Sequence, residues 1–263
     1  MSSSSGISPG EPILPGVAHV VAVASAKGGV GKSTVCVNLA RGLARSGLRV
    51  GVLDADIYGP SLPLLMGVRE HPEVVQQTII PVVHDGISVM SIGLLTEAET
   101  PVVWRGPLLA QAVQQFLGQV AWGELDYLLV DLPPGTGDIP LTLSQQVALS
   151  GAVIVTTPQK VALEDVERGI AMFERLEVDV IGLVENMSYF LCPQCSERHH
   201  IFGTSGVQEL GERLDLPLLG SLPLLPDLEN SQGAEASSHA VVMEEEFDRI
   251  AARVVGEIAK ISG

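Results

Sequence analysis

Positive charge, aromatic side chains and cysteine are all scarce in this chain. Lys and Arg total 15 against 31 Asp and Glu, a formal net charge of −16. So acidic a surface repels nucleic acid and anionic lipid, whose binding depends largely on basic side chains. Phe, Trp and Tyr make up 4% of the residues while apolar types reach 46%, so the core has to be built from Val, Leu, Ile and Ala. Three cysteines are too few for a disulfide framework and fit a reducing, cytoplasmic setting. No apolar run approaches the ~20 residues of a membrane span. Residues 1–6 lack the basic-then-apolar order of a secretion signal. Residues 1–16, rich in Ser and Pro, read as a flexible tail. Residues 17–263 read as one large domain with a Cys-Pro-x-Cys loop near 187–203.

What the chain does have is the stretch Lys27-Gly28-Gly29-Val30-Gly31-Lys32-Ser33-Thr34, which follows the apolar run Val20-Val21-Ala22-Val23-Ala24 and opens a helical pattern. Strand, glycine-rich loop and helix in that order form a phosphate cradle. The glycines let backbone N–H groups turn towards an anion, and the helix adds its positive end. Lys32 reaches the outer phosphates and the Ser33 hydroxyl takes a magnesium site. The usual pattern begins with Gly; here Ala26 holds that place and Lys27 stands beside it. This resembles the deviant form of the phosphate loop, whose extra lysine crosses a dimer interface to the partner's nucleotide. The resemblance implies a homodimer.

Apolar strand-like runs alternate with helical patterns along the chain. Strands are expected at 20–24, 48–53, 87–92, 127–130, 152–156, 180–184 and 218–219. Helices are expected at 32–46, 107–122, 140–149, 163–176, 204–214 and 241–261. Residues 68–86 read as a loop or small hairpin. Strands apolar on both faces and separated by helices imply an α/β fold, a mainly parallel sheet covered on both sides. Its ligand loops then lie at the carboxyl ends of the strands.

Two of those strands end in carboxylates. Tyr127-Leu128-Leu129-Val130-Asp131 places Asp131 where a magnesium-linked carboxylate belongs, and 48–53 runs into Asp54-Ala55-Asp56. One Asp at a strand end is ordinarily a cap or a turn residue. Three of them in a chain with a phosphate loop favour a nucleotide role. The segment Pro133-Pro134-Gly135-Thr136-Gly137-Asp138 is suited to move when a γ-phosphate leaves.

Far downstream, Cys192-Pro193-Gln194-Cys195 lies in a polar loop between a strand and a helical pattern. Two thiolates do not complete a tetrahedral site. A two-fold axis beside the loop supplies the other two from a second chain, which matches a bridging 4Fe-4S cluster. His199 and His200 offer a local alternative, a zinc site, and zinc binds such thiolates readily. A redox pair or an unliganded pair also remains open. Cys36 reads as a small core residue.

These motifs together resemble the Mrp/ApbC family of P-loop iron–sulfur cluster carriers. The matching stretches are residues 22–34, 53–63, Trp104-Arg105-Gly106-Pro107, 128–138, Thr157-Pro158-Gln159, and 185–195 with Ile201-Phe202-Gly203. The resemblance implies a slow ATPase that binds ATP and Mg2+, bridges one 4Fe-4S cluster across a homodimer and delivers it to apo-protein clients. It makes Lys27 and Lys32 catalytic, Asp56 the water-positioning carboxylate and Asp131 the magnesium-linked one. Asp54 shares the nucleotide site, Asn186 contacts the base and Pro223 packs on it. No room is expected for the extra amino-terminal domain of some members, nor is the amino-terminal cysteine cluster of eukaryotic cytosolic relatives expected, so the resemblance implies a single bridging cluster. The competing classes are a zinc-stabilised nucleotide-dependent scaffold and a partitioning-type ATPase. Net charge −16 opposes DNA binding, and Glu244-Glu245-Glu246 opposes a membrane-binding last helix.

Overall fold

Alternation along the first strand decides the architecture. In β1 (Val17–Ala24), Val20, Ala22 and Ala24 enter one hydrophobic cluster while Val21 and Val23 enter another. A strand buried on both faces belongs in the middle of a sheet covered on both sides. The computed structural model describes residues 14–56, 59–94, 113, 116–192, 195, 197–204, 206–224 and 238–262.

After β1 come α1 (Lys32–Arg45), β2 (Val50–Asp54), α2 (Leu62–Met66), β3 (Glu73–Val75), β4 (Thr78–Ile80), β5 (Val82–His84) and β6 (Ile87–Ser91). Then follow β7 (Leu125–Asp131), α3 (Asp138–Gln146), β8 (Gly151–Thr156), α4 (Lys160–Arg175) and β9 (Val180–Leu191). The chain closes with β10 (Arg198–His199), α5 (Gly206–Leu214), β11 (Leu218–Leu224) and α6 (Ser238–Ser262). The strand order is β10-β9-β8-β1-β7-β2-β6-β5, with β11 paired to β9. Only β5 and β10 pair antiparallel within it; β3 and β4 form a separate hairpin. The expected mainly parallel sheet is therefore present.

One face of the sheet is covered by α4 and α5 through Val166, Ile170, Phe173, Val207 and Leu210, with Ile139 and Leu143 of α3. The other is covered by α1 and α6 through Val35, Leu39, Leu43, Phe247, Ile250, Val254 and Ile258. Gly42 lets these two helices meet: a Cβ there would stand 2.9 Å from the Phe247 carbonyl oxygen. Phe173 is fully buried, and truncating a side chain of that kind to Ala costs ~3–5 kcal/mol.

The element readings hold with informative differences. Residues 68–86 form the β3–β4 hairpin and the edge strand β5. The strand expected at 180–184 runs on to Leu191, and that expected at 218–219 runs to Leu224, because each continues along the other. Half of the helix expected over 107–122 falls outside the described residues, while 113 and 116–119 are helical. Also outside them are Trp104-Arg105-Gly106-Pro107, the 1–16 tail up to residue 13, and residues 57 and 58. Among the described residues no helix is long and apolar enough to cross a membrane.

Candidate nucleotide and metal site

Strand β1 lies between β7 and β8, so the loop leaving its carboxyl end opens where the chain's connections diverge to either side. That is the place where sheets of this kind bind ligands. Gly31, at φ +80°, ends the loop and precedes α1. Left-handed geometry there suits glycine, and a Cβ would also run into the Asn186 amide. The Asn186 Nδ2 donates to the Val30 carbonyl oxygen at 2.8 Å, so the sequence-selected Asn186 does lie against the loop. Gly28 and Gly29 bring no side chain to it, and a Cβ at Gly29 would meet nothing within 4 Å.

Register then delivers the carboxylates. Asp131, the last residue of β7, pairs with Val23 on one side and Asp54 on the other. Its Oδ1 lies 2.6 Å from Lys32 Nζ and its Oδ2 accepts the Ser33 hydroxyl at 2.5 Å. One buried carboxylate thus holds both side chains that the motif assigns to phosphate and magnesium. Burial pushes Asp131 upward in pKa, and the Lys32 ammonium opposes that shift. Ser33 Oγ and Asp131 Oδ2 converge as two hard oxygens, which fits magnesium. Thr34 occupies the next position in the first turn of α1.

Asp54 is fully buried. Its Oδ1 accepts the Asp56 backbone N–H at 3.1 Å, and its Oδ2 accepts Ser91 Oγ at 3.0 Å and the Leu62 N–H at 3.4 Å. Burial first, and the neighbouring Asp131 charge second, push its pKa up to about 7. Asp54 thus positions the turn carrying Asp56, which is partly exposed beside the loop. Within the single chain Lys27 forms an ion pair with Asp165 of α4 at 2.7 Å.

The cysteines stand elsewhere on the same side. Strand β9 runs past Asn186 to Leu191 and turns back as β10, with the Cys192 N–H donating to the Glu197 carbonyl at 3.0 Å. The cysteine segment is therefore the tip of a hairpin, and not a loop leading straight into a helix. Cys192 is half-buried and Cys195 exposed; Cys36 is buried, and all three are thiols. Burial raises the Cys36 thiol well above its ordinary pKa, which suits the core role expected of it. His200 turns away: its Nδ1 lies 3.2 Å from the Ser188 carbonyl oxygen. His199 Nε2 lies 3.9 Å from Glu197. Among the described residues no group of three or more His, Cys, Asp and Glu is placed to hold a metal ion. Pro223, on β11, is in register with Tyr189 of β9.

Sequence reasoning missed Ser91, Asp165 and Glu185. Ser91 ends the strand next to β2, a neighbour that only the strand order reveals. Asp165 is one acid among several on a helix. Glu185 follows a run of apolar residues, and a carboxylate there is a signal that was available. It is buried, and its Oε2 accepts Ser188 Oγ at 2.6 Å and Ser221 Oγ at 3.0 Å.

A glycine-rich loop leaving the central strand, a following helix and a buried acid at the next strand end define a P-loop nucleotidase. The comparisons with known proteins narrow this. A family model described as the NUBPL iron-transfer P-loop NTPase matches residues 16–260. The chain belongs to this family. An iron-sulfur cluster carrier protein of Aquifex aeolicus is 50% identical over 218 residues, covering 82% of this chain and 60% of that protein. The mouse iron-sulfur cluster transfer protein NUBPL is 51% identical over 214 residues, 80% of this chain and 67% of its own length. The chain thus spans about two thirds of the curated relatives it matches. Among solved structures, a nucleotide-binding protein of Archaeoglobus fulgidus in complex with ADP is 41% identical, with a TM-score of 0.72 and coverage of 89% of this chain and 88% of that one. A chain of the MinC:MinD cell-division protein complex of Aquifex aeolicus is 20% identical at a TM-score of 0.65 over 91% of this chain and 96% of the other, and shares the fold.

Proposed function

We propose that the chain is an ATP-dependent iron–sulfur cluster carrier. Two copies hold one 4Fe-4S cluster on the Cys192 and Cys195 thiolates of each, and pass it to apo-protein clients. The observation that carries this reading is the thiol pair. In a member of an iron-transfer family, each chain presents two cysteines at an accessible hairpin tip, and no described residue completes their ligand set. A second copy supplies the remaining two. Transfer is ligand exchange. Each iron–sulfur bond to a carrier cysteine is replaced by one to a client thiolate, the proton of the client thiol passes to the released carrier thiolate, and the iron oxidation states stay the same.

The nucleotide half of the proposal rests on Lys32, Ser33, Thr34, Asp54, Asp56 and Asp131. Lys32 stabilises negative charge on the γ-phosphoryl group, and Asp56 orients the attacking water. Magnesium, held by Ser33 and Asp131, would neutralise phosphate charge. The loop from Gly28 to Gly31 presents N–H groups to the phosphates, and Asn186 and Pro223 border the base. Spacing in the sequence makes no glutamine or arginine finger evident, and catalysis by positioning and charge stabilisation alone suggests slow turnover. Lys27 leaves Asp165 to reach the partner's nucleotide.

Anaerobic reconstitution tests the reading. About four irons per dimer are expected, with the broad visible absorption of a cluster. If a Cys192→Ala, Cys195→Ala double variant loads as much iron as the parent, the shared site is wrong.

A further inference from the structure

Strand β9 links the two halves of the site, with Asn186 against the phosphate loop and its end leading into Cys192, and its pairing with β11 is irregular between them. Along β9 and β11, Glu185 pairs with Ser221 and the next pair is Tyr189 with Pro223. Asn186, Met187 and Ser188 of β9 therefore stand opposite Leu222 alone, which makes a bulge. Met187 has φ +56°, a left-handed conformation costly for a side chain of its size. At this bulge Asn186 leaves the strand to hold the Val30 carbonyl.

The bulge is closed by one carboxylate. Glu185, at its near end, takes the hydroxyl of Ser188 from its far end and that of Ser221 from the facing strand, both on Oε2. The Ser188 carbonyl in turn meets His200, just past β10. Beyond Ser188 the strand continues as Tyr189, Phe190 and Leu191 straight into Cys192. On β10, Arg198 lies over the Tyr189 ring, its Cζ 4.5 Å from the centroid. A displacement of the phosphate loop thus has a packed, hydrogen-bonded route to the cysteine hairpin: Val30 to Asn186, through the bulge, then to Ser188 and the hairpin.

We propose that Glu185, with Ser188 and Ser221, is a positioning joint that transmits nucleotide occupancy at the phosphate loop to the cysteine hairpin. This rests on the reading above and deepens it by naming how the two halves are linked. The bulge is held left-handed at Met187 and tied by the two serine hydroxyls on Glu185, and it contacts both ends of the route; coupling requires that it shift between two arrangements when nucleotide binds, which the test reads. Bulges beside active sites commonly re-aim side chains in this way.

The test uses the full chain without iron. Cys192 and Cys195 are alkylated with iodoacetamide, with and without a saturating non-hydrolysable ATP analogue and magnesium. Site-resolved mass spectrometry reads the rates, and the same thiols alkylated in urea-unfolded protein give the reference rates. In the parent, nucleotide is expected to slow alkylation about fivefold or more. In Glu185→Gln and in Ser188→Ala, with nucleotide still bound, the response is expected to fall within about twofold. Ser188→Thr, which keeps the hydroxyl, restores it. A parent with no response, or variants that respond as the parent does, would overturn the proposal. If Glu185→Gln does not fold, Ser221→Ala carries the test; if neither folds, the joint serves stability alone and the proposal fails. Because no iron enters, failure here is separable from failure of the cluster reading, which the reconstitution experiment decides.

Discussion

The phosphate-loop end and the cysteine hairpin are both products of strand ends, yet they are built in opposite ways. At the loop, Lys32, Asp54 and Asp131 are buried, and the two carboxylates are each held by named donors within one chain. At the hairpin, Cys195 is exposed, Ile201 and Phe202 beside it are exposed as well, and no described third ligand stands near. The difference teaches which half a single chain completes. Buried charge needs its partners built in, because leaving one uncompensated costs several kcal/mol. Thiolates at a surface tip tolerate waiting for partners from another molecule.

The largest expected effect comes from breaking the finished half. Lys32→Ala removes the cation from a fully buried Asp131. ATP turnover in a steady-state phosphate-release assay should fall by ~10²-fold or more. Nucleotide-free stability in a urea titration should fall by about 3 kcal/mol. Iron loading at the hairpin should persist, since Lys32 belongs to the phosphate loop and Cys192 and Cys195 to the hairpin after β9. Loss of loading in this variant would erase the contrast between a completed and an uncompleted half.

Cys192→Ser makes the converse cut. Anaerobic iron loading should drop about tenfold or to background, while the unfolding free energy from urea titration changes by less than ~1 kcal/mol, as for substitutions away from the core. A large stability loss would mean that the hairpin supports the fold and is not a tip waiting for partners.

Much of this contrast was legible in the residues. The phosphate loop is local: spacing alone gives Lys32 and Ser33, and a strand ending in Asp gives Asp131. That these side chains meet needed only β1 and β7 as neighbours, which the register supplies. What stayed hidden depends on distant pairing. Ser91 supports Asp54 only because β6 lies beside β2. Ser221 meets Glu185 only because β11 lies beside β9. The hairpin was read as a loop because β10 spans just Arg198 and His199, too short for any periodic signal. His200, a sequence candidate for metal, is turned to Ser188 because it falls on the Tyr189 side of that hairpin.

A pH titration sharpens the electrostatic side of the comparison. Asp54 has an ordinary pKa of 3.8 and stands at about 7 in the fold. The folded state therefore binds this proton more tightly than the unfolded chain. Its contribution is fully present below pH ~4 and is lost as pH rises through ~7. Asp54→Asn should remove that dependence. In nucleotide-free protein without magnesium the variant should gain ~1–3 kcal/mol relative to the parent at pH 8, and no such gain should remain at pH 4. Urea midpoints at the two pH values measure it. Because Asp54 orders the Asp56 turn through its Oδ1, ATP turnover should fall even as stability rises. A variant less stable than the parent at pH 8 would mean that the hydrogen bonds to Ser91 and Leu62 outweigh the burial of charge.

The smallest expected effect lies at Lys27, between the two halves. Its ion pair with Asp165 is 2.7 Å long but partly exposed, with the two side chains 38% and 22% accessible. Asp165 also keeps Arg168 at 2.9 Å, so it retains a cation when Lys27 is removed. Pairs of this kind contribute ~0–1 kcal/mol, and solvent screening lowers that further. Lys27→Ala should therefore leave the urea midpoint nearly unchanged and the monomer intact. If the lysine's work is done across a dimer, nucleotide-dependent association in sedimentation velocity should weaken about tenfold while the fold is unchanged. A variant that associates and turns over ATP as the parent does would confine Lys27 to its bond with Asp165. The proposed second copy would then rest on the cysteines alone.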